Sequence, residues 1–256
     1  MAAVAWIVAL APITACHSAG TAEPPMDAAV PADTMVLAGF DCARLRAAPV
    51  YARLPPIVTA WADAMKPADH LLLAWNGKDL LMLGHGPFGK QAPASATRIA
   101  DDLAAAGSPD AVKQAMAAYQ QAKRGAGNAS PLVERAPSLA HGHEIWLAAQ
   151  GSAILPVNGN LQNLQRLLNT TQTVTLAVHV TDAIDAQLTA YCPTADAADH
   201  LAGELRAMLT LAAAAEARNA PLAALLRSVP VDRDGFTVKL SLHAGGEAVE
   251  RLRQLF

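Results

Sequence analysis

HLLLAWNGKDLLMLGH, residues 70–85, holds two apolar runs joined across Asn76-Gly77-Lys78. Asn-Gly between apolar runs is a strong hairpin signal, because glycine supplies the positive φ that a tight connection needs. This stretch therefore predicts two antiparallel strands. Before it, residues 34–40 (TMVLAGF) predict another strand. Asp41 can cap the helical stretch that follows, which Pro49 and Pro55-Pro56 break into pieces. After it, a Gly/Pro/Ser/Ala segment over 86–97 leads to a weaker strand over 99–106. Ser108 and Pro109 then open a helix that runs to about Lys123.

The second half repeats this order. Strand 144–150 (EIWLAAQ) precedes a helix over 161–168 (LQNLQRLL). Strands 173–181 (TVTLAVHVT) and 186–192 (AQLTAYC) follow, then a long helix from Thr194 to about Arg218. Pro221 restarts a short helix, Asp234-Gly235 makes a turn, 236–243 (FTVKLSLH) alternates as a strand, and a helix closes the chain over 247–255. The junctions AGSPDAV (106–112) and AGGEAV (244–249) match with one residue gapped, each a strand, a Gly turn, an acidic first turn and an apolar face. The expected fold class is α+β, with two related βαββ(α)βα units of ferredoxin-like or split-βαβ plan and antiparallel or mixed sheets. The units are 34–124 and 144–256, separated by a helical linker over 125–143. One continuous antiparallel sheet is the alternative; in either case the helices are expected on one face.

The chain has 256 residues, enough for one or two domains with a sizeable core. Hydrophobic residues make up 53% of it, far from the composition of a disordered chain, and much of that is helix-favouring Ala. With Lys+Arg at 19 against Asp+Glu at 22, no cationic surplus exists to neutralise a phosphate backbone, so nucleic acid is not expected as a partner.

Residues 1–15 (MAAVAWIVALAPITA) carry no charge and are apolar apart from Thr14. They are shorter than the roughly 20 residues needed to span a bilayer, so the segment reads as a signal peptide, although it lacks the usual basic n-region. It ends in Ile13-Thr14-Ala15-Cys16, which resembles the bacterial lipobox. That resemblance implies cleavage before Cys16 and lipidation of its sulfur, with the membrane as a partner through the acyl chains. His17, rather than Asp, follows the cysteine, so the outer membrane, facing the periplasm, is the expected address in a Gram-negative host. Residues 16–33 read as the lipidated Cys and a Pro/Ala-rich tether.

Strand alternation sorts the second half by face. Val174, Leu176, Val178, Val180, Leu188, Ala190, Cys192, Phe236, Val238, Leu240 and Leu242 form an expected core face. The opposite face carries Thr175, His179, Thr181, Gln187, Thr189, Tyr191, Lys239, Ser241 and His243. That face reads either as a binding platform, with His179, Gln187, Tyr191, Lys239 and His243 as candidate residues, or as a solvated surface. His141-Gly142-His143-Glu144 is the densest cluster of potential metal ligands, and its alternative is a solvated loop. Cys42 and Cys192 could pair in an exported protein, but two buried thiols fit better. No GxSxG, Walker A, Rossmann glycine triplet, HExxH or CxxC is present, so no cofactor and no catalytic residue is expected.

DCARLRAAPVY (41–51) and VDRDGFTVKLSL (231–242) resemble segments of a family of bacterial predicted lipoproteins of acidobacterial type. The resemblance brings no activity with it. The sequence thus leads to a lipid-anchored envelope protein that binds or scaffolds another envelope component, through the long Ala-rich helix or the polar sheet face. The runner-up is a metal-dependent envelope hydrolase built on His141, His143 and Glu144.

Overall fold

The computed structural model describes residues 25–53, 68–88, 96–125, 130–153, 169–246 and 248–249. Cys16, the 161–168 helix and most of the closing helix lie outside them. The fold is α+β and is organised on one ten-stranded, wholly antiparallel sheet. Its strands are β1 (Val36–Asp41), β2 (His70–Trp75), β3 (Leu80–His85), β4 (Thr97–Arg98), β5 (Leu103–Gly107), β6 (Ile145–Gln150), β7 (Thr173–Val180), β8 (Ile184–Tyr191), β9 (Val231–Asp234) and β10 (Thr237–Ala244). The order across the sheet is β4-β5-β3-β2-β1-β6-β7-β8-β10-β9. Outward from the central β1–β6 pair, each half is a three-strand meander followed by an inner late strand and an outer short one. That is not the ferredoxin-like interleaving expected from the element order. The halves are also joined by main-chain hydrogen bonds, with Gly39 opposite Trp146, rather than held apart by a linker.

The β2–β3 hairpin shows why the opening stretch reads cleanly. Trp75 pairs with Leu80, Gly77 takes φ 95°, and the Asn76 Oδ1 accepts from the Lys78 and Asp79 N–H groups at 3.0 and 2.8 Å. Asparagine thus closes the turn with its side chain and glycine supplies the conformation. The region expected as one strand over 99–106 is instead a turn over 99–102 followed by β5, with the short β4 falling just ahead of it. Two acids, Asp101 and Asp102, fall in the turn.

Five helices are described: α1 (Cys42–Ala47), α2 (Pro109–Lys123), α3 (Ala136–Ala140), α4 (Ala195–Ala215) and α5 (Ala220–Ser228). Four of them start on side-chain caps, three of which, Asp41, Ser108 and Thr194, are the helix starts expected from the sequence. Asp41, Ser108, Thr194 and Asn219 accept from the N–H groups of Arg44, Ala111, Ala197 and Leu222.

The helices pack on both faces of the sheet, which corrects the expectation of one covered face. On the front, Ala111, Ala115 and Tyr119 of α2 meet Leu37, Leu72, Ala74, Leu81, Leu83, Leu103 and Ala105, together with Trp146 and Ala148. On the back, Ala198, Leu201 and Ala202 of α4 meet Val174, Ala190, Cys192, Val231 and Val238. A second back cluster gathers Cys42, Leu45, Leu71, Ala104 and Val180. The physical reason lies in the alternation. In the first half both sheet faces carry apolar residues, whereas β7 and β8 are apolar on the back and carry Thr175, Gln187 and Thr189 on the front.

Three further expectations change. Pro25 onward belongs to the fold rather than to a tether: Met26–Ala29 is a 3-10 turn against α2, with Ala29 and Val30 fully buried. The expected linker also joins the core, since Leu132 and Ala136 are buried in the front cluster. Phe236, assigned to the core face, is 59% exposed because it occupies the turn before β10, beside Gly235 at φ 56°.

Candidate functional site

One register row on the front face collects four of the seven histidines among the described residues, together with several acids. His85 of β3 pairs with His70 of β2, and His70 with Asp41 of β1. The Asp41 N–H donates to the Glu144 carbonyl at 2.8 Å, just ahead of β6. His179 of β7 lies beside Glu144, opposite Asp185 of β8, which in turn faces His243 of β10.

Glu144 is the tightest point of this row. Its side chain is 3% exposed, and Oε1 lies 2.5 Å from Nη2 of Arg44. Oε2 accepts from the Val180 N–H at 2.6 Å and from His179 Nδ1 at 3.0 Å. The carboxylate therefore ties α1 to the β6 and β7 ends, and a buried charge placed among such partners is compensated. It is spent on the fold and does not turn toward His141, which is exposed. Among the described residues no three His, Cys, Asp or Glu side chains are grouped to hold a metal ion. The His141, His143 and Glu144 cluster is thus not assembled as a ligand set.

Downstream of Glu144 the front face opens into a groove of about 590 Å³, lined by His143, His179, Asp185, Gln187, Ser241 and His243 among others. Each of its histidines is held at Nδ1 by an oxygen. His179 meets the Glu144 carboxylate, His243 meets Asp185 Oδ1 at 2.6 Å, and His143 meets the Leu139 carbonyl at 2.9 Å. A carbonyl or ionised carboxylate only accepts, so Nδ1 carries the proton in all three rings and the neutral ring leaves Nε2 as an acceptor. A second, mostly apolar groove of about 320 Å³ lies beside it on the same face, over Gly39, Leu72 and Trp146, between Pro25-Met26 and Ala136-Pro137. His143 lines both.

Of the candidate residues read from alternation, His179, Gln187 and His243 share the groove. Tyr191 does not: its ring lies under the Arg135 guanidinium, with the carbon 5.0 Å from the ring centroid. Lys239 is exposed, opposite Asp232 and Thr189, further along the strands. Thr175 and Thr189 are buried, so this end of the polar face is not a solvated platform. Sequence reading missed Asp185, Arg44 and the inward turn of Glu144. The pairing of Asp185 with His179 follows from the short turn at residues 181–183, and was the one signal available for it.

Cys42 and Cys192 are free buried thiols in separate back-face clusters. Burial pushes the Cys42 thiol up to about 11, against a partial pull downward from Arg46, and burial also raises Cys192.

No family model and no curated protein matches the sequence. Among solved structures, crystal form I of a protein named TP0453 is similar over 92% of this chain and 97% of its own, at a TM-score of 0.51 and 10% identity. Crystal form IV of TP0453 covers 91% and 96% at a TM-score of 0.43 and 10% identity. The likeness to the first is one of fold. The molecule is thus an α+β protein with a single antiparallel sheet, one front-face half covered by α2 and the other opened by a histidine-lined groove.

Proposed function

We propose that this chain is a lipid-anchored, non-enzymatic protein of the cell envelope, in which the front-face groove holds a ligand or a partner. The observation that carries the anchor is Ile13-Thr14-Ala15-Cys16 at the end of an uncharged apolar stretch. Several acyl chains on Cys16 would hold the domain on a leaflet, since each buried methylene contributes ~0.8 kcal/mol. The resemblance of segments 41–51 and 231–242 to acidobacterial-type predicted lipoproteins supports the same reading. In a host with two membranes the outer one, facing the periplasm, is the proposed site.

A binding role is supported by the groove, in which His179 and His243 sit on paired strands and are held in place by the buried Glu144 carboxylate and by Asp185. Metabolic labelling with palmitate tests the anchor. Label is expected in the wild-type chain and absent in Cys16→Ser; equal labelling of both would overturn it. Crosslinking of intact envelopes followed by purification tests the binding role. An adduct lost in a His179→Ala/His243→Ala variant is expected, and an unchanged adduct pattern would place the interaction elsewhere.

A further inference from the structure

We infer that the front-face groove takes an organic ammonium ligand with several N–H donors, either a free polyamine or a lysine side chain of a partner. This deepens the binding role proposed above and rests on it. The argument starts from tautomers. Because oxygen acceptors hold Nδ1 of His143, His179 and His243, each neutral ring offers Nε2 as an acceptor. Asp185 adds a carboxylate within the groove, and Gln187 and Ser241 add further oxygens.

The local charge points the same way. Glu144 is matched by the Arg44 guanidinium from α1, whereas Asp185 faces two imidazoles, His243 and His179, and no guanidinium or ammonium group lines the groove. With the imidazoles neutral the groove carries one uncompensated negative charge, so an anion is disfavoured and a cation favoured. The spacing then separates a metal ion from an organic cation. No three of these side chains are grouped closely enough for one ion to bridge them. The acceptors are spread along a groove of about 590 Å³, which suits a ligand with donors distributed along its length.

The test is isothermal titration calorimetry of the full chain at pH 7.5 and low salt, with spermidine and with the peptide acetyl-Lys-Lys-amide as probes. Saturable 1:1 binding of at least one is expected. Tighter binding of spermidine points to a free amine, and tighter binding of the peptide to a partner's lysine. Asp185→Asn, which keeps the shape and an acceptor for His243, is expected to weaken binding at least tenfold. Asp102→Asn, which removes a carboxylate paired with His85 outside the groove, is expected to leave it within twofold. The inference is overturned by no saturable binding of either probe up to about 5 mM, which corresponds to almost no useful affinity. Equal affinity in Asp185→Asn, or stoichiometric zinc binding lost in His179→Ala, would overturn it too. A crosslinked adduct that persists while amine binding fails would remove the ligand class and leave the binding role standing.

Discussion

Removing the Glu144 charge would leave the half-exposed Arg44 without its partner and would weaken the acceptor of the Val180 N–H and His179. Breaking a buried ion pair costs several kcal/mol, less here because the freed guanidinium can rehydrate. Glu144→Gln is expected to lower unfolding free energy by about 2–3 kcal/mol, read as a shift in urea midpoint at unchanged slope. A loss below about 0.5 kcal/mol would show that the pair contributes little. Cys42 gives a pH prediction of defined sign. Its folded thiol titrates near 11, well above its usual 9.0, so the unfolded chain releases this proton first as pH rises. Stability should therefore be unaffected below about pH 8 and fall between about pH 9 and 11 by roughly 2–3 kcal/mol, at ~1.4 kcal/mol per unit. Cys42→Ala should lack that increment in its own pH profile, whatever its absolute stability. If wild type and variant fall in parallel, the thiol is not the titrating group.

Among the elements, β1 and α2 carry the sharpest expectations. A Cβ on Gly39 would stand 2.2 Å from Cε2 of Trp146, because the indole of β6 lies flat over the neighbouring strand. Gly39→Ala must displace that ring or bend β1, and overpacking of this kind costs about 1–3 kcal/mol. Ser108→Ala removes the acceptor of the Ala111 N–H and is expected to cost about 1 kcal/mol, with the loss appearing in thermal unfolding. These two positions mark what sequence does and does not reveal. Ser108, Asp41 and Thr194 were readable as caps because capping is a local event between residues three apart. The β2–β3 hairpin was readable for the same reason. Gly39 carried no such signal, since its constraint comes from a tryptophan more than a hundred residues away that only strand pairing brings near. The groove divides similarly. Alternation alone placed His179, Gln187 and His243 on one face, whereas Glu144 looked like a neighbour of His141 until the pairing of its main chain with Asp41 turned it inward.

At the scale of the molecule, the central β1–β6 pair decides how the chain unfolds. The outer edges of the sheet are guarded: β4 has two residues, and β9 exposes Asp232, Arg233 and Asp234. No such guard exists on β1, whose Val36–Asp41 run would become a bare apolar edge if the halves were parted. The front cluster spans the division as well, since Trp146 and Ala148 of the second half pack with Leu37 and Leu72 of the first. Splitting the chain therefore removes main-chain hydrogen bonds and core contacts together, which makes a stable half expensive. The sheet is expected to unfold as one cooperative unit despite its two topologically alike halves. Native-state hydrogen exchange checks this directly. Amides of β2 at Leu71–Ala74 and of β7 at Val174–Ala177 should open with the same free energy, equal to that from urea unfolding. A gap of more than about 2 kcal/mol between the two strands would mean that one half opens while the other stays folded, and that the β1–β6 pairing is a docking surface rather than the centre of the fold.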